Sequence, residues 1–266
     1  PKQAYPKGHE DLLIAMNALG STLRDQREFA ESESLFLEAL SMCQQLHPAD
    51  SFPQGHVDIA GSMSELASLY SSQRDYQKAR KHTFDSLSML RDLFPVETHP
   101  EGHPRIADQL FSVAYLLDEL GDFAVARTYH AESLEMRKRL FAGFENGHPD
   151  IAQSLNSLGV AFRKLGDLQS AYDYYDQSLE MRQRLYPAAE YPDGHAQIVT
   201  CLNNLGFVCS EMSRSDDAMA FYRQALDMQR TLTETDRSKY ALNSLAVELN
   251  NLGYELRIKG RFAEAR

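Results

Sequence analysis

Self-similarity at a fixed interval dominates what this chain can fold into. A Leu-Gly-like pair recurs at Leu19-Gly20, Leu66-Ala67, Val113-Ala114, Leu158-Gly159, Leu205-Gly206 and Leu252-Gly253, at intervals of 47, 47, 45, 47 and 47 residues. A period of this size means that one supersecondary unit is copied and that each unit buries its apolar face only against its neighbours. The fourth copy shows the unit. Ile151, Leu155, Leu158, Phe162 and Leu165 are spaced by three and four, which lays one apolar stripe along a helix. Gly166-Asp167 interrupts it, and a second stripe follows at Leu168, Ala171, Tyr175, Leu179 and Leu185. No run alternates as a strand would, so each repeat reads as two antiparallel helices joined by a short turn. The repeats are expected at about 9–54, 56–101, 103–146, 148–193, 195–235 and 236–266, the last one truncated, in a single array over 1–266.

Matched positions show how the two helices approach. Ala79, Ala126, Ala171, Ala218 and Ala265 share one slot of the second helix, with Ser32 in the first copy. A small side chain there lets the axes come to the low end of the usual 8–10 Å, and the Gly or Ala after the recurrent Leu serves the first helix likewise. Further along, Ala/Ser-Leu-x-Met-x-x-x-Leu appears five times and carries Met42, Met89, Met136, Met181 and Met228. At helical spacing beside buried leucines these methionines read as core filler rather than as an adaptable binding stripe.

Between repeats lie variants of one connector: Tyr5-Pro6-Lys7-Gly8-His9, Phe52 to His56, His99 to His103, Phe144 to His148 and Tyr191 to His195. Pro and Gly are expected to stop the preceding helix, and Pro104 and Pro149 sit where a first helical residue needs no amide hydrogen. The recurrent Gly-His raises the question of a metal. Equivalent atoms of stacked units lie on the order of 10 Å apart, whereas zinc holds its nitrogen ligands at about 2.0–2.1 Å. No metal is expected, and the histidines read as caps or loop anchors.

Leu155-x-x-Leu158-Gly159-x-x-Phe162, followed by Gly166, Ala171, Tyr175 and Ser178-Leu179, resembles the tetratricopeptide repeat, and the match runs in register over essentially the whole chain. His148-Pro149-Asp150-Ile151-Ala152 leading into Leu155-Asn156-Ser157-Leu158, and Leu202-Asn203-Asn204-Leu205, are similar to the repeats of kinesin light chains and of related arrays in bacterial signalling proteins. The resemblance implies an all-α fold, a right-handed superhelical solenoid of stacked antiparallel helix pairs with a period of about 47 residues. The chain departs from the family in its period, longer than the usual 34, in having no Trp, and in placing Cys209 where an aromatic residue is typical.

Composition narrows the function. With 38 acidic and 27 basic residues the net charge is −11, which repels a phosphate backbone and argues against nucleic acid. No apolar run is long enough to span a membrane. Cys43, Cys201 and Cys209 are an odd set without Cys-x-x-Cys spacing, and Cys201 and Cys209 on one helix are separated by roughly 12 Å, too far to pair. A reducing, cytoplasmic setting is the simplest reading. The ends read as those of a fragment, since residues 1–7 have the form of a connector and Arg266 stops inside a second helix; self-association through uncapped ends is left open. No phosphate-binding, zinc-protease or nucleophile-elbow motif is present, and the acidic pairs Asp118-Glu119 and Asp216-Asp217 read as solvated. The segment is read as non-enzymatic and without cofactor.

One ladder on the first helices stands out. Two places before the recurrent Leu the copies carry Asn17, Ser64, Phe111, Asn156, Asn203 and Asn250. Asn is a mediocre helix former, so its recurrence needs a reason beyond propensity. Its amide offers donors and an acceptor, the set required to clasp an extended peptide backbone, and the resemblance to light chains implies this role. Hydrogen bonding between repeats, fixing their stacking angle, is the alternative. The next turns add Val160, Phe207 and Tyr254, then Arg163, Ser210 and Arg257, in the later copies. The third copy offers Asp108, Asp118 and Glu119 instead. The expected site is therefore Asn156, Asn203 and Asn250 on the ligand backbone, Arg163 and Arg257 on acidic side chains, and Phe207 and Tyr254 on apolar ones. The leading function is a protein-interaction scaffold that binds a linear segment, with acidic and apolar residues, of a partner. The alternative is a sensor array governing a protease, kinase or NTPase effector of a larger protein.

Overall fold

A computed structural model describes residues 9–235, 239–258 and 260. Tyr5 to Gly8 of the first connector and Ala265 of the small-residue slot lie outside them. Every regular element described is an α-helix: α1 Glu10–Asp25, α2 Phe29–Leu46, α3 Val57–Ser72, α4 Tyr76–Leu93, α5 Pro104–Leu120, α6 Phe123–Leu140, α7 Pro149–Lys164, α8 Leu168–Leu185, α9 Ala196–Glu211, α10 Ser215–Thr235 and α11 Lys239–Ile258. The chain divides into two compact units, Pro1–Leu140 and Phe141–Arg266. In the first, α1 packs on α2, α3 on α4 and α5 on α6, with α2 on α3 and α4 on α5 joining the pairs; in the second the same chain of contacts runs from α7 through α11. Each unit is thus a stack of helix pairs.

The Leu-Gly signature has a steric cause. A Cβ on Gly20 would lie 2.7 Å from the Phe36 ring, on Gly159 2.6 Å from Tyr175, and on Gly206 2.6 Å from Tyr222. The glycine admits an aromatic ring from the second helix of its own pair, and Phe36, Tyr175 and Tyr222 are buried there. Where the first helix carries Ala67 or Ala114, the matching residue of the second helix is Thr83 or His130. A ring is met by glycine in three copies, as close packing demands, whereas Ala67 faces the small Thr83.

The slot at Ser32, Ala79, Ala126, Ala171 and Ala218 is fully buried in each case. A second slot, Ala39, Ser86, Ser133, Ser178 and Ala225, is buried as deeply. Its serine hydroxyls donate to first-helix carbonyls, Ser86 to Ala60 at 2.9 Å, Ser133 to Ala107 at 2.8 Å and Ser178 to Ala152 at 2.7 Å. These bonds satisfy hydroxyls that burial would otherwise penalise.

The connectors differ in detail from the expectation that Pro and Gly stop the preceding helix. The second helices end ahead of Pro48, Pro95 and Pro187, whereas Gly55, Gly102, Gly147 and Gly194 come later and take φ of 86–93°. That left-handed turn, open to glycine at little cost, feeds the histidine that follows. Each histidine is an N-cap: Nδ1 of His9, His56, His103, His148 and His195 accepts from the amide two residues on, at 3.2–3.3 Å. Its ring also stacks on the residue closing the previous helix, His56 on His47, His103 on Phe94, His148 on Phe141 and His195 on Tyr186. Burial lowers the affinity of His103 and His195 for a proton, which suits a ring nitrogen that must keep its lone pair for the cap.

The methionines meet these glycines. A Cβ on Gly55, Gly102, Gly147 or Gly194 would lie within 2.4–2.8 Å of Met89, Met136, Met181 or Met228 respectively. Of the five, only Met136 is buried and the others are half-buried, so the stripe is a set of lids on connector glycines as much as core filler. Between the helices of a pair, the left-handed position of the turn is held by Gly121 and Gly166, and by Arg27, Arg74 and Ser213 in the other pairs; Gly260, after α11, takes the same conformation.

Candidate functional site

The ladder positions lie on neighbouring first helices, and polar side chains join those helices within each unit. In the first unit Ser21 donates to Glu65 at 3.2 Å, Arg24 to Ser68 at 2.8 Å, and Ser64 to Gln109 at 2.7 Å. In the second, Asn204 donates to Asn156 at 2.8 Å and Asn203 to Glu248 at 2.6 Å, and Ser210 bonds Glu255. Asn156 and Asn203 therefore each bond to the following repeat. The amide oxygen of Asn203, Oδ1, is buried and accepts no hydrogen bond, and the same holds for Oδ1 of Asn17. Asn250 is exposed on α11.

The other expected residues sit around this ladder. Phe207 is 46% and Tyr254 60% exposed, unusual for rings this size on a packed helix pair. Arg163 lies over the Phe207 ring, 4.8 Å from its centroid, and its Nη1 is 3.4 Å from Glu211. Its charge is therefore partly engaged, and a ligand carboxylate would compete with Glu211 for it. Arg257 is exposed at the end of α11. Tyr175, packed on Gly159, is pushed up to about 12 by burial and stays a neutral phenol.

Two glutamates were not legible in the sequence. Glu248 and Glu255 of α11 are buried, and one carboxylate oxygen of each has no partner. Burial raises the Glu248 pKa, against a smaller lowering by the Asn203 amide. The signal that could have found Glu248 is its slot: the same position reads Ala15, Ser62, Gln109, Ser154 and Cys201 in earlier copies, all of them small or uncharged. The acidic pairs also differ from expectation. Asp118 is not simply solvated but accepts a hydrogen bond at 2.9 Å from His130, which is buried. Asp217 pairs with Arg214 at 2.8 Å.

Among the described residues one group has metal-ligand chemistry, His47, His56 and Asp58. The two rings stack 3.5 Å apart at 14°, and lone pairs lying in near-parallel planes do not converge on one ion. Nδ1 of His56 is moreover spent on the cap. All three cysteines are free and buried, and burial pushes Cys209 up to about 11, so it stays a thiol. No helix among the described residues is long and apolar enough to cross a membrane.

Stacked helix pairs with a glycine-on-aromatic seam and a polar ladder along the first helices define a helical-repeat protein. The tetratricopeptide repeat family matches in sequence over residues 12–53, 113–184 and 198–236, more than half of the chain, and the chain belongs to that family. No curated protein matches it in sequence. Among solved structures, BtubC (BKLC) from P. vanneervenii is similar at 22% identity and a TM-score of 0.70, covering 89% of this chain and 86% of its own. A Podosopora anserina protein assigned as a kinesin light chain, with nearly identical TPR-like repeats, gives 15% identity and a TM-score of 0.68, over 85% of this chain and 97% of its own. A Rap protein complexed with competence and sporulation factor gives 14% identity and a TM-score of 0.58, over 96% of this chain and 72% of its own. At these identities the likeness is one of fold.

Proposed function

We propose that this chain is a protein-interaction scaffold and that the first helices α7, α9 and α11 receive an extended segment of a protein partner. The observation that carries this reading is the juxtaposition of two exposed aromatic rings, Phe207 and Tyr254, with Arg163 lying on one of them and with the asparagine ladder alongside. Such rings are the side chains that supply binding hot spots. The complex of the similar Rap protein with competence and sporulation factor supports a tetratricopeptide surface used for binding a ligand. In this reading Asn156, Asn203 and Asn250 hold the ligand backbone, Phe207 and Tyr254 its apolar side chains, and Arg163 and Arg257 its acidic ones.

Magnitudes divide the work. Three amide contacts at roughly 0.5–1.5 kcal/mol each supply about 1.5–4.5 kcal/mol, while micromolar affinity needs about 8.2 kcal/mol. Aromatic and charged contacts must therefore provide the rest. The test titrates short fluorescein-labelled peptides that alternate acidic and apolar residues, and their charge-reversed counterparts, against the wild type and Asn203→Ala, Arg163→Glu and Phe207→Ala. Asn203→Ala should weaken every peptide several-fold, and Arg163→Glu should weaken the acidic ones selectively. Equal affinities in all four proteins with helical circular dichroism intact would move the site elsewhere. Unfolding of Asn203→Ala would instead assign the ladder to the bonds between repeats.

A further inference from the structure

Another cavity lies in the first unit, on the same kind of surface but with opposite chemistry. It opens between α3 and α5, holds about 370 Å³, and so falls within the roughly 300–1,000 Å³ of ligand pockets. Its origin is a combination of small residues that no other copy carries together. The α3 ladder positions are Ser64, Ser68 and Ser71, and the second-helix position that is Phe36, Tyr175 or Tyr222 elsewhere is here Thr83, which lines the cavity. Facing this hydroxyl wall are Phe111 and Tyr115 of α5, the latter 55% exposed. At the rim Tyr76 donates to Glu119 at 2.9 Å, and Glu119 has no cation within ion-pairing distance among the described residues.

The charges around the cavity favour one class of ligand. Arg24 is held by Glu65 and Ser68, and Arg137, lying over the Phe111 ring, is ion-paired with Asp108 at 2.8 Å. These pairs cancel. What is left over is Glu119 and, beside it, Asp118 bonded to His130, against one further cation, Arg74, which acts on Tyr76 at the same rim; two carboxylates against one cation leave the local balance negative. An anionic carboxylate beside aromatic faces and hydroxyl acceptors suits a guanidinium or ammonium group.

The geometry points to a pocket for a basic side chain, an arginine or lysine of the bound segment, between Glu119, Tyr115 and the serines of α3. This rests on the reading of the first helices as peptide-binding surfaces and gives the first unit a specificity of its own, for a basic residue.

The test is an NMR titration with the peptide acetyl-Gly-Ser-Arg-Ser-Gly-amide, and with the same peptide carrying citrulline, which keeps the shape of arginine without its charge. The expected result is a saturable shift of the Ser68, Ser71, Tyr115 and Glu119 amides with the arginine peptide only. Glu119→Gln, which can still bond Tyr76, should weaken binding about three-fold, as loss of one ion pair at an exposed rim allows. The pair Ala67→Gly with Thr83→Tyr reproduces the glycine-on-tyrosine packing of the fourth and fifth copies, fills the cavity and should abolish binding. An equal response to citrulline, undiminished binding in Glu119→Gln, or binding to the filled variant would overturn the proposal. Shifts confined to α7 and α9 would remove this pocket while leaving the groove of the second unit in place. Loss of the acidic peptides from the second unit, with the arginine response intact at α3 and α5, would do the reverse.

Discussion

Gly159 shows how one missing methyl group organises a repeat. Its hydrogen leaves room for the Tyr175 ring, and a Cβ would enter that ring at 2.6 Å. Overpacking of this kind costs about 1–3 kcal/mol, so Gly159→Ala should lower the melting temperature measurably. Ala67 above Thr83 supplies the internal control, because the same seam tolerates a methyl group once the facing residue shrinks. Combining Gly159→Ala with Tyr175→Thr should therefore cost less than the two single changes added together. Strict additivity in thermal melts of the four proteins would show that ring and glycine do not compete for the same space. The Gly-Met contacts of the connectors obey the same logic, with the flexible thioether adapting where a ring could not.

At the scale of the element, α11 is held to α9 by unusual means. Where earlier copies bury small or uncharged side chains, it buries Glu248 against Asn203 and Glu255 against Ser210. A carboxyl group whose folded-state pKa is raised binds its proton more tightly in the folded chain than in the unfolded one. Its contribution is thus complete below the unfolded value, about 4.3, and is lost as pH rises through the raised folded value. Glu248→Gln keeps an acceptor for the Asn203 amide and has nothing to ionise. At neutral pH this variant should protect the α11 amides from hydrogen exchange better than the wild type, and near pH 4 the two should converge, as the wild-type carboxyl is then neutral. Greater protection in the wild type at neutral pH would mean that the ionised carboxylate is the stabilising form.

For the whole molecule, the repeat arrangement predicts a circular dichroism spectrum dominated by α-helix and a melting temperature indifferent to EDTA. The connector histidines act through lone pairs turned on backbone amides and through ring stacking, so chelation removes none of the caps that start the first helices. A drop in melting temperature with EDTA would show that His47, His56 and Asp58 bind an ion despite their stacked rings.

The period, the helix pairs and the small-residue slots were legible in the sequence because they are local or repetitive. An apolar stripe declares a helix by its spacing alone, and a residue type recurring every 47 positions declares a shared environment without saying what it touches. The partners of those residues were decided only by tertiary structure. That Gly20 faces Phe36 while Ala67 faces Thr83, that the connector glycines lie under methionines, and that Asn203 meets Glu248 are contacts between different helices, whose relative placement no local pattern encodes. The cavity beside Thr83 is of the same kind. Each of its residues is unremarkable in the sequence, and the space exists because small side chains of α3 and Thr83 of α4 fall opposite the rings of α5 once the pairs are stacked.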